Sequence, residues 1–327
     1  MTTVLLTAPY LIPIIERFKP LFAHYQIELL VAEVQERLDE EQLLAYAGQI
    51  DGALCGDDQY TDRVLRACAP RLKVLSKWGT GIDSIEAQAA ARLGIRVGRT
   101  LNAFSMPVAD TVMGYLLAFA RRQPWMDRDM KAGKWEKLPG RSLSECTLGV
   151  VGVGNCGKAV LCRARAFGMR LLGNDIVEVA PDFILENGVE MTSLPDLLAR
   201  SDYVSLNCDL NPTSYHLIDA HSLALMASNA VLINTARGAI VDEPALVAAL
   251  QRGMIAGAAL DVYEAEPLPL DSPLRGMDNV LLAPHNANSS PDAWERVHWN
   301  TIRNLLEGLG IELDEQFEVL KRQIAGG

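Results

Sequence analysis

Short apolar runs alternate with helical patterns along almost the whole chain. In the first hundred residues TVLLTA, IELLVAE, DGALCG, LKVLSKWG and GIRVGR each read as a strand bounded by turn residues. Segments 40–47 and 84–92 between them carry helical spacing. Strand and helix in turn imply parallel pairing through crossover helices, which is an α/β unit. A long helix is predicted over 107–122, with Val108, Val112, Tyr115, Leu116 and Phe119 at helical spacing. The stretch RRQPWMDRDMKAGKWEKLPGRSLSE then breaks the rhythm. Its charges, two tryptophans and two prolines read as an excursion that packs on another subunit, as in a homodimer. A second alternation begins at TLGVVGVG and runs through RLLGND, YVSLNC, AVLINTA, GAALDV and NVLLA. Ser193 with Pro195, Asp242 with Pro244, and Gly253 punctuate the intervening helices. The tail, 291–327, reads as amphipathic helix.

Composition narrows the class. A chain of 327 residues exceeds the usual single core, so two domains are expected. With 49% hydrophobic and 22% charged residues it is a globular chain rather than a disordered one. The net charge of −11 argues against a nucleic-acid partner, although a local basic pocket for a small anion is compatible with it. The six cysteines form neither a CxxC pair nor a zinc-like group with histidine, so no metal site and reduced thiols in a cytoplasm are expected. The N-terminus MTTVLLTAPYLIPIIERF lacks a basic leader and is interrupted by proline, which makes it a poor signal peptide. No run of about 18 apolar residues occurs, so no membrane span is expected.

The first chemical motif is Gly152-Val153-Gly154-Asn155-Cys156-Gly157, closing one strand and opening a helix. The first glycine permits a tight turn, the second lets the backbone approach a pyrophosphate, and the third allows close helix–strand packing. The helix N-terminus offers free N–H groups to phosphate charge. The next strand, at 170–174, ends at Asp175, at the spacing of the carboxylate that binds adenosine ribose hydroxyls. A carboxylate there repels a 2′-phosphate, so NAD(H) is favoured over NADP. Cys156 reads as a tolerated small residue of this loop.

Downstream, Asn234-Thr235-Ala236-Arg237-Gly238 ends the strand AVLIN. Ligands of open α/β sheets lie beyond the carboxyl ends of strands, and a guanidinium there can grip a carboxylate bidentately. The next strand delivers Asp261, Glu264 and Glu266 to the same edge, and one more brings His285. Arginine, carboxylate and histidine on successive strand ends suit hydride transfer at a carbon bearing oxygen, with histidine moving the proton. Spacing alone does not choose among the three carboxylates.

At these motifs the chain resembles the D-2-hydroxyacid dehydrogenase family, including its phosphoglycerate dehydrogenase branch. KWGTGIDSIE resembles the family's first substrate loop, VGVGNCGKA its nucleotide loop and NTARGAIVDEPALVAAL its arginine segment; DVYEAEPL and LAPHNAN resemble the glutamate and histidine segments. The resemblance implies a Rossmann dinucleotide-binding domain, 100–285, inserted into a flavodoxin-like α/β substrate domain, 1–99 with 286–327. It implies Arg237, Glu266 and His285 as catalytic residues, Glu266 being the one directly before proline. Gly152, Gly154, Asn155, Cys156, Gly157 and Asp175 would hold the cofactor, with Thr235 lining the nicotinamide pocket and Asp261 near its amide. Gly79, Thr80 and Gly81 would meet the carboxylate of a 2-hydroxy or 2-keto acid.

Several positions depart from the family pattern. Where the phosphoglycerate branch has an Arg-Ser pair for phosphate, this chain has Cys55-Gly56 followed by the acids Asp57-Asp58, hostile to phosphate. Lys77 and Arg99 read either as positive charge for a second anionic group of the substrate or as solvated surface charge. Asn286 and Asn288 follow His285, as substrate contacts or as helix caps. Asn207 replaces a frequent histidine on the cofactor side, and no C-terminal regulatory domain is expected. Trp135, Trp294, Trp299 and His298 read as packing residues, and Asp110 as part of a helix. Rival readings are a phosphite-type dehydrogenase with the same three residues and a non-enzymatic NAD-sensing corepressor. Formate oxidation is disfavoured by Glu266.

Overall fold

The structure, a computed structural model, describes residues 2–325. Two compact units emerge, one from the residues up to Ala103 together with those from Pro291 onward, the other from Phe104 to Ser290. The first unit holds strands β1 (Thr2–Leu6), β2 (Ile27–Val31), β3 (Gly52–Cys55), β4 (Val74–Lys77) and β5 (Arg96–Gly98). They form one parallel sheet in the order β2-β1-β3-β4-β5, the doubly wound flavodoxin-like order. β3 and β4 are buried at every position, which explains why GALC and VLSK show no polar alternation. The helix Pro291–Gly308 packs on β3, β4 and β5. From it His298, 3% exposed, accepts a hydrogen bond at Nδ1 from Trp78 Nε1 at 2.9 Å. Burial lowers the His298 pKa to about 4, which keeps the ring a neutral acceptor. Tyr10 stacks on Trp78 at 4.8 Å, and Trp294 meets it edge-on at 5.9 Å.

The second unit holds β6 (Thr147–Val151), β7 (Arg170–Asn174), β8 (Val189–Met191), β9 (Tyr203–Leu206), β10 (Val231–Asn234), β11 (Gly257–Leu260) and β12 (Val280–Leu282). The order is β12-β11-β10-β9-β6-β7-β8, all parallel. This is the Rossmann strand order with a seventh strand added, and its switch point lies between β6 and β9. Neighbouring residues enter opposite cores: Leu232 and Ala258 pack on one face, Ile233 and Ala259 on the other. Among the described residues no helix is long and apolar enough to cross a membrane.

The structure differs from the sequence expectation in the excursion after Arg121. A helix, Gln123–Lys131, forms there with no buried residue, entered through Arg122 at φ +57° and Pro124 in its first turn. Trp125 Nε1 donates to the Asp278 carbonyl at 2.7 Å, but Trp135 is 83% exposed and packs on nothing in its own unit's core. The tail is two helices, Pro291–Gly308 and Glu315–Ala325, broken near Gly310 at φ +74°. Asp110, on the helix Ser105–Arg121, pairs with Arg163 at 2.6 Å.

Candidate active site

The nucleotide loop lies at the switch point. Gly152 has φ +90°, and a Cβ there would stand 2.4 Å from the Cys208 nitrogen, so only glycine fits beside the end of β9. A Cβ on Gly157 would stand 2.0 Å from the Gly152 carbonyl oxygen, the close helix–strand approach that the third glycine allows. A Cβ on Gly154 would meet nothing within 4 Å, which leaves open space where a pyrophosphate would come. The helix Asn155–Ala166 starts there without a side-chain cap, so its first N–H groups are available to an anion. Asp175 accepts from Val153 N at 2.6 Å and from Val177 N at 2.9 Å, which fixes its carboxylate beside the loop. At the ends of β9 and β10, Asn207 Nδ2 and Thr235 Oγ1 are buried without a hydrogen-bond partner. Orphaned polar atoms on adjacent strand ends are what a polar ring cofactor would satisfy. The loop, the acid and these atoms together fit a dinucleotide. Cys156 is half-buried, its Sγ 3.6 Å from Ser105 Oγ, and burial raises its pKa, so it stays a thiol.

Beyond β10, the Asn234 side chain shapes the turn: its Nδ2 donates to the Arg237 carbonyl at 2.9 Å, and its Oδ1 accepts from Ala236 N. Gly238 follows because a Cβ there would lie 1.9 Å from the Tyr263 carbonyl carbon. Arg237 is half-buried, with Nη1 on the Ala236 carbonyl at 2.8 Å. Past β12, His285 sits at φ +51°, and its Nδ1 lies 2.9 Å from Glu266 Oε2. Glu266 is aimed by the Tyr263 backbone, whose N–H donates to Oε1 at 2.9 Å. The Tyr263 hydroxyl lies 2.9 Å from the Ala283 carbonyl and 3.1 Å from the Leu260 carbonyl, its one proton shared between them at the ends of β11 and β12. The other two carboxylates of DVYEAEP go elsewhere. Asp261 accepts from the Asn286 and Ala287 backbones, and Glu264 Oε1 pairs with His216 Nε2 at 2.7 Å. Tyr263 and His216 were not singled out from the sequence, because a single residue in a turn past a strand carries no periodic signal.

In the first unit, Gly79 has φ +124° and Thr80 Oγ1 donates to the Thr100 carbonyl at 2.7 Å, which fixes the Gly79–Thr80–Gly81 turn at the end of β4. Arg99 is exposed and donates to the Thr80 carbonyl at 3.3 Å. Lys77 is buried; it pairs with Asp57 at 2.9 Å and donates to the Trp78 carbonyl. Asp58 is fully buried, accepting from Thr7 Oγ1, Leu38 N and Gly56 N, and its pKa is raised by that burial.

Comparison with known proteins places this geometry. Residues 113–287 match the family model described as D-isomer specific 2-hydroxyacid dehydrogenase, NAD binding domain. The chain is 41% identical over 244 residues to a glyoxylate reductase of Korarchaeum cryptofilum, covering 73% of each. It is 38% identical to a D-3-phosphoglycerate dehydrogenase of Methanocaldococcus jannaschii over 80% of this chain, but spans only 50% of that protein. Among solved structures, a D-lactate dehydrogenase of Aquifex aeolicus complexed with NAD and lactic acid superposes with a TM-score of 0.80 at 26% identity, covering 99% and 96% of the two chains. With the family model spanning more than half the chain and the Korarchaeum relative 41% identical over 73% of it, the chain belongs to the D-2-hydroxyacid dehydrogenases, NAD-dependent enzymes that act on the CH–OH group of a 2-hydroxy acid.

Proposed function

We propose that Arg237, Glu266 and His285 carry this reaction, and that the substrate is a small unphosphorylated 2-keto acid of the glyoxylate or hydroxypyruvate type. The observation that carries the assignment is the His285–Glu266 pair at 2.9 Å beyond the carboxyl end of β12. Glu266 accepts from Nδ1, which fixes the ring tautomer and supports the imidazolium form. In reduction His285 gives its Nε2 proton to the keto oxygen; in oxidation it takes the hydroxyl proton back. A nicotinamide bound here would supply or receive the hydride. Arg237 holds the substrate carboxylate and polarises the neighbouring carbonyl. Gly152, Gly154, Asn155, Cys156 and Gly157 hold the pyrophosphate, Asp175 the adenosine ribose, and Thr235 with Asn207 the nicotinamide side. The backbone of Gly79, Thr80 and Gly81 offers N–H groups to a carboxylate.

The absence of a phosphate grip supports the unphosphorylated substrate. Gly56 and the acids Asp57 and Asp58 stand after β3, and the charge of Lys77 is already matched by Asp57. The name of the Korarchaeum relative points the same way. We further propose a cytoplasmic homodimer. Six free cysteines suit a reducing compartment, and the exposed segment from Gln123 through Trp135 offers an arm to a second copy.

The test is NADH oxidation with glyoxylate, hydroxypyruvate, pyruvate, phosphohydroxypyruvate and larger sugar-derived keto acids, and NAD reduction with phosphite. Turnover of glyoxylate or hydroxypyruvate well above phosphohydroxypyruvate is expected. Preference for phosphohydroxypyruvate would overturn the substrate argument. Tight NADH binding with no turnover of any of them would overturn the catalytic one and favour a sensor.

A further inference from the structure

We infer that Asp261 is a positioning residue: it clamps three successive backbone N–H groups at His285 and thereby holds the imidazole in its working direction. The inference rests on the reading of His285 as the acid–base group. β11 and β12 are neighbouring parallel strands, with Leu260 paired to Leu282, so Asp261 stands beside the chain as it leaves β12. Its carbonyl accepts from His285 N at 2.7 Å, its Oδ1 from Asn286 N at 2.8 Å and its Oδ2 from Ala287 N at 2.8 Å. Its own N–H donates to the Asn234 carbonyl at 2.9 Å, which anchors the clamp to β10. On the far side, Thr111 Oγ1 donates to the Ala287 carbonyl at 3.3 Å.

A clamp serves here because His285 adopts φ +51°, the left-handed region that residues other than glycine occupy uncommonly. Such a residue keeps that conformation only where its surroundings over-determine it. Relaxation to a negative φ would turn the imidazole away from Glu266 and from any oxygen that it serves. Asp261 is 1% exposed, and a buried carboxylate needs donors. The two amides are those donors, so the charge and the turn hold one another in place. Glu266 and Asp261 thus act on His285 differently, the first on its ring and the second on its backbone.

Asparagine is nearly isosteric but has a single acceptor oxygen, so in Asp261→Asn one of the two amides faces an NH2 group. The variant is tested as the full chain with NADH and glyoxylate. Its kcat should fall by roughly 100-fold, the scale of a small misplacement of a reacting group. The Kd for NADH, by fluorescence titration, should stay within about threefold of wild type. Amide exchange in segment 284–290 should rise while segment 146–153 stays protected. Unchanged kcat, or a large rise in the NADH Kd with exchange unchanged, would overturn the inference; the latter would assign Asp261 to the nicotinamide. If the variant does not fold, exchange of the wild-type chain decides: protected Asn286 and Ala287 amides support the clamp, and freely exchanging ones overturn it. His285→Gln separates the two readings. Wild-type turnover in that variant removes the acid–base role itself, whereas its inactivity beside a fully active Asp261→Asn removes only the clamp.

Discussion

Replacing Glu266 with glutamine keeps the shape of the side chain and removes a charge whose oxygen lies 2.9 Å from His285 Nδ1. With charge centres about 4 Å apart, the attraction is ~1 kcal/mol in water and ~4 kcal/mol at an effective dielectric of 20. The two side chains are 22% and 18% exposed, so the pair lies between these limits. The carboxylate therefore favours the imidazolium form. Keto-acid reduction needs the proton on His285, so in Glu266→Gln the alkaline limb of kcat/KM for reduction should move to lower pH. Oxidation uses the neutral ring, and its acid limb should move lower by a similar amount. Glutamine can still accept from Nδ1, so tautomer and ring direction are retained and the shift reports charge. The assay is the pH profile of glyoxylate reduction by NADH, wild type against variant. An alkaline limb that does not move would remove Glu266 from this role, however far the rate at the optimum falls.

Two further outcomes follow from other sites. Burial holds the folded-state pKa of His298 at about 4, below the 6.5 of an exposed histidine. The unfolded chain therefore binds more protons between those values. Stability present above pH ~6.5 is lost as pH falls towards ~4, by on the order of 3 kcal/mol. His298→Gln keeps an acceptor for Trp78 Nε1 and should flatten the difference in Tm between about pH 7 and about pH 5; an equal slope in the variant would refute the assignment. At the nucleotide loop, Asp175→Asn removes the charge that faces a 2′-phosphate. The kcat/KM ratio of NADPH to NADH should rise about tenfold or more, and an unchanged ratio would mean that another group excludes the phosphate.

Both sheets were legible because their strands are buried on two faces and read as continuous apolar runs: TLGVV is buried at all five positions, and GALC and VLSK at all four. The helix Gln123–Lys131 escaped the reading for the opposite reason. None of its residues is fully buried and only Trp125 packs against the core, so its apolar stripe is too short to mark its period. β8 escaped because its three residues, Val189–Met191, put a glutamate between two apolar positions and form no apolar run. The nucleotide loop was legible because Gly152 and Gly157 answer steric demands that no other residue meets, while Gly154 leaves open space beside them.

The carboxylate that serves His285 could not be read from spacing, and the reason lies in the turn after β11. Strand alternation ends at Leu260, so Asp261, Glu264 and Glu266 have no common face to share. Asp261 still lies beside β12 and reaches its departing backbone. The chain then folds back on itself: Tyr263 N–H reaches Glu266 Oε1, which carries Glu266 towards the end of β12. The same fold turns Glu264 outward to His216, in the loop after β9, where its Oε1 also accepts from Glu243 N at 3.2 Å. That second histidine–glutamate pair is as short as the first, so distance does not separate them. Their surroundings do: His216 stacks on the exposed Tyr215 at 4.1 Å and, through Glu264, is tied to the start of the helix Glu243–Gln251. His285 instead hangs from a buried aspartate on the strand next to the one that delivers Arg237. What singles out the His285–Glu266 pair is therefore its place beyond the carboxyl end of β12, not its length. Backbone conformation does not separate them either, since His216 stands at φ +48° and His285 at φ +51°; the buried Asp261 carboxylate that holds the two amides after His285 does.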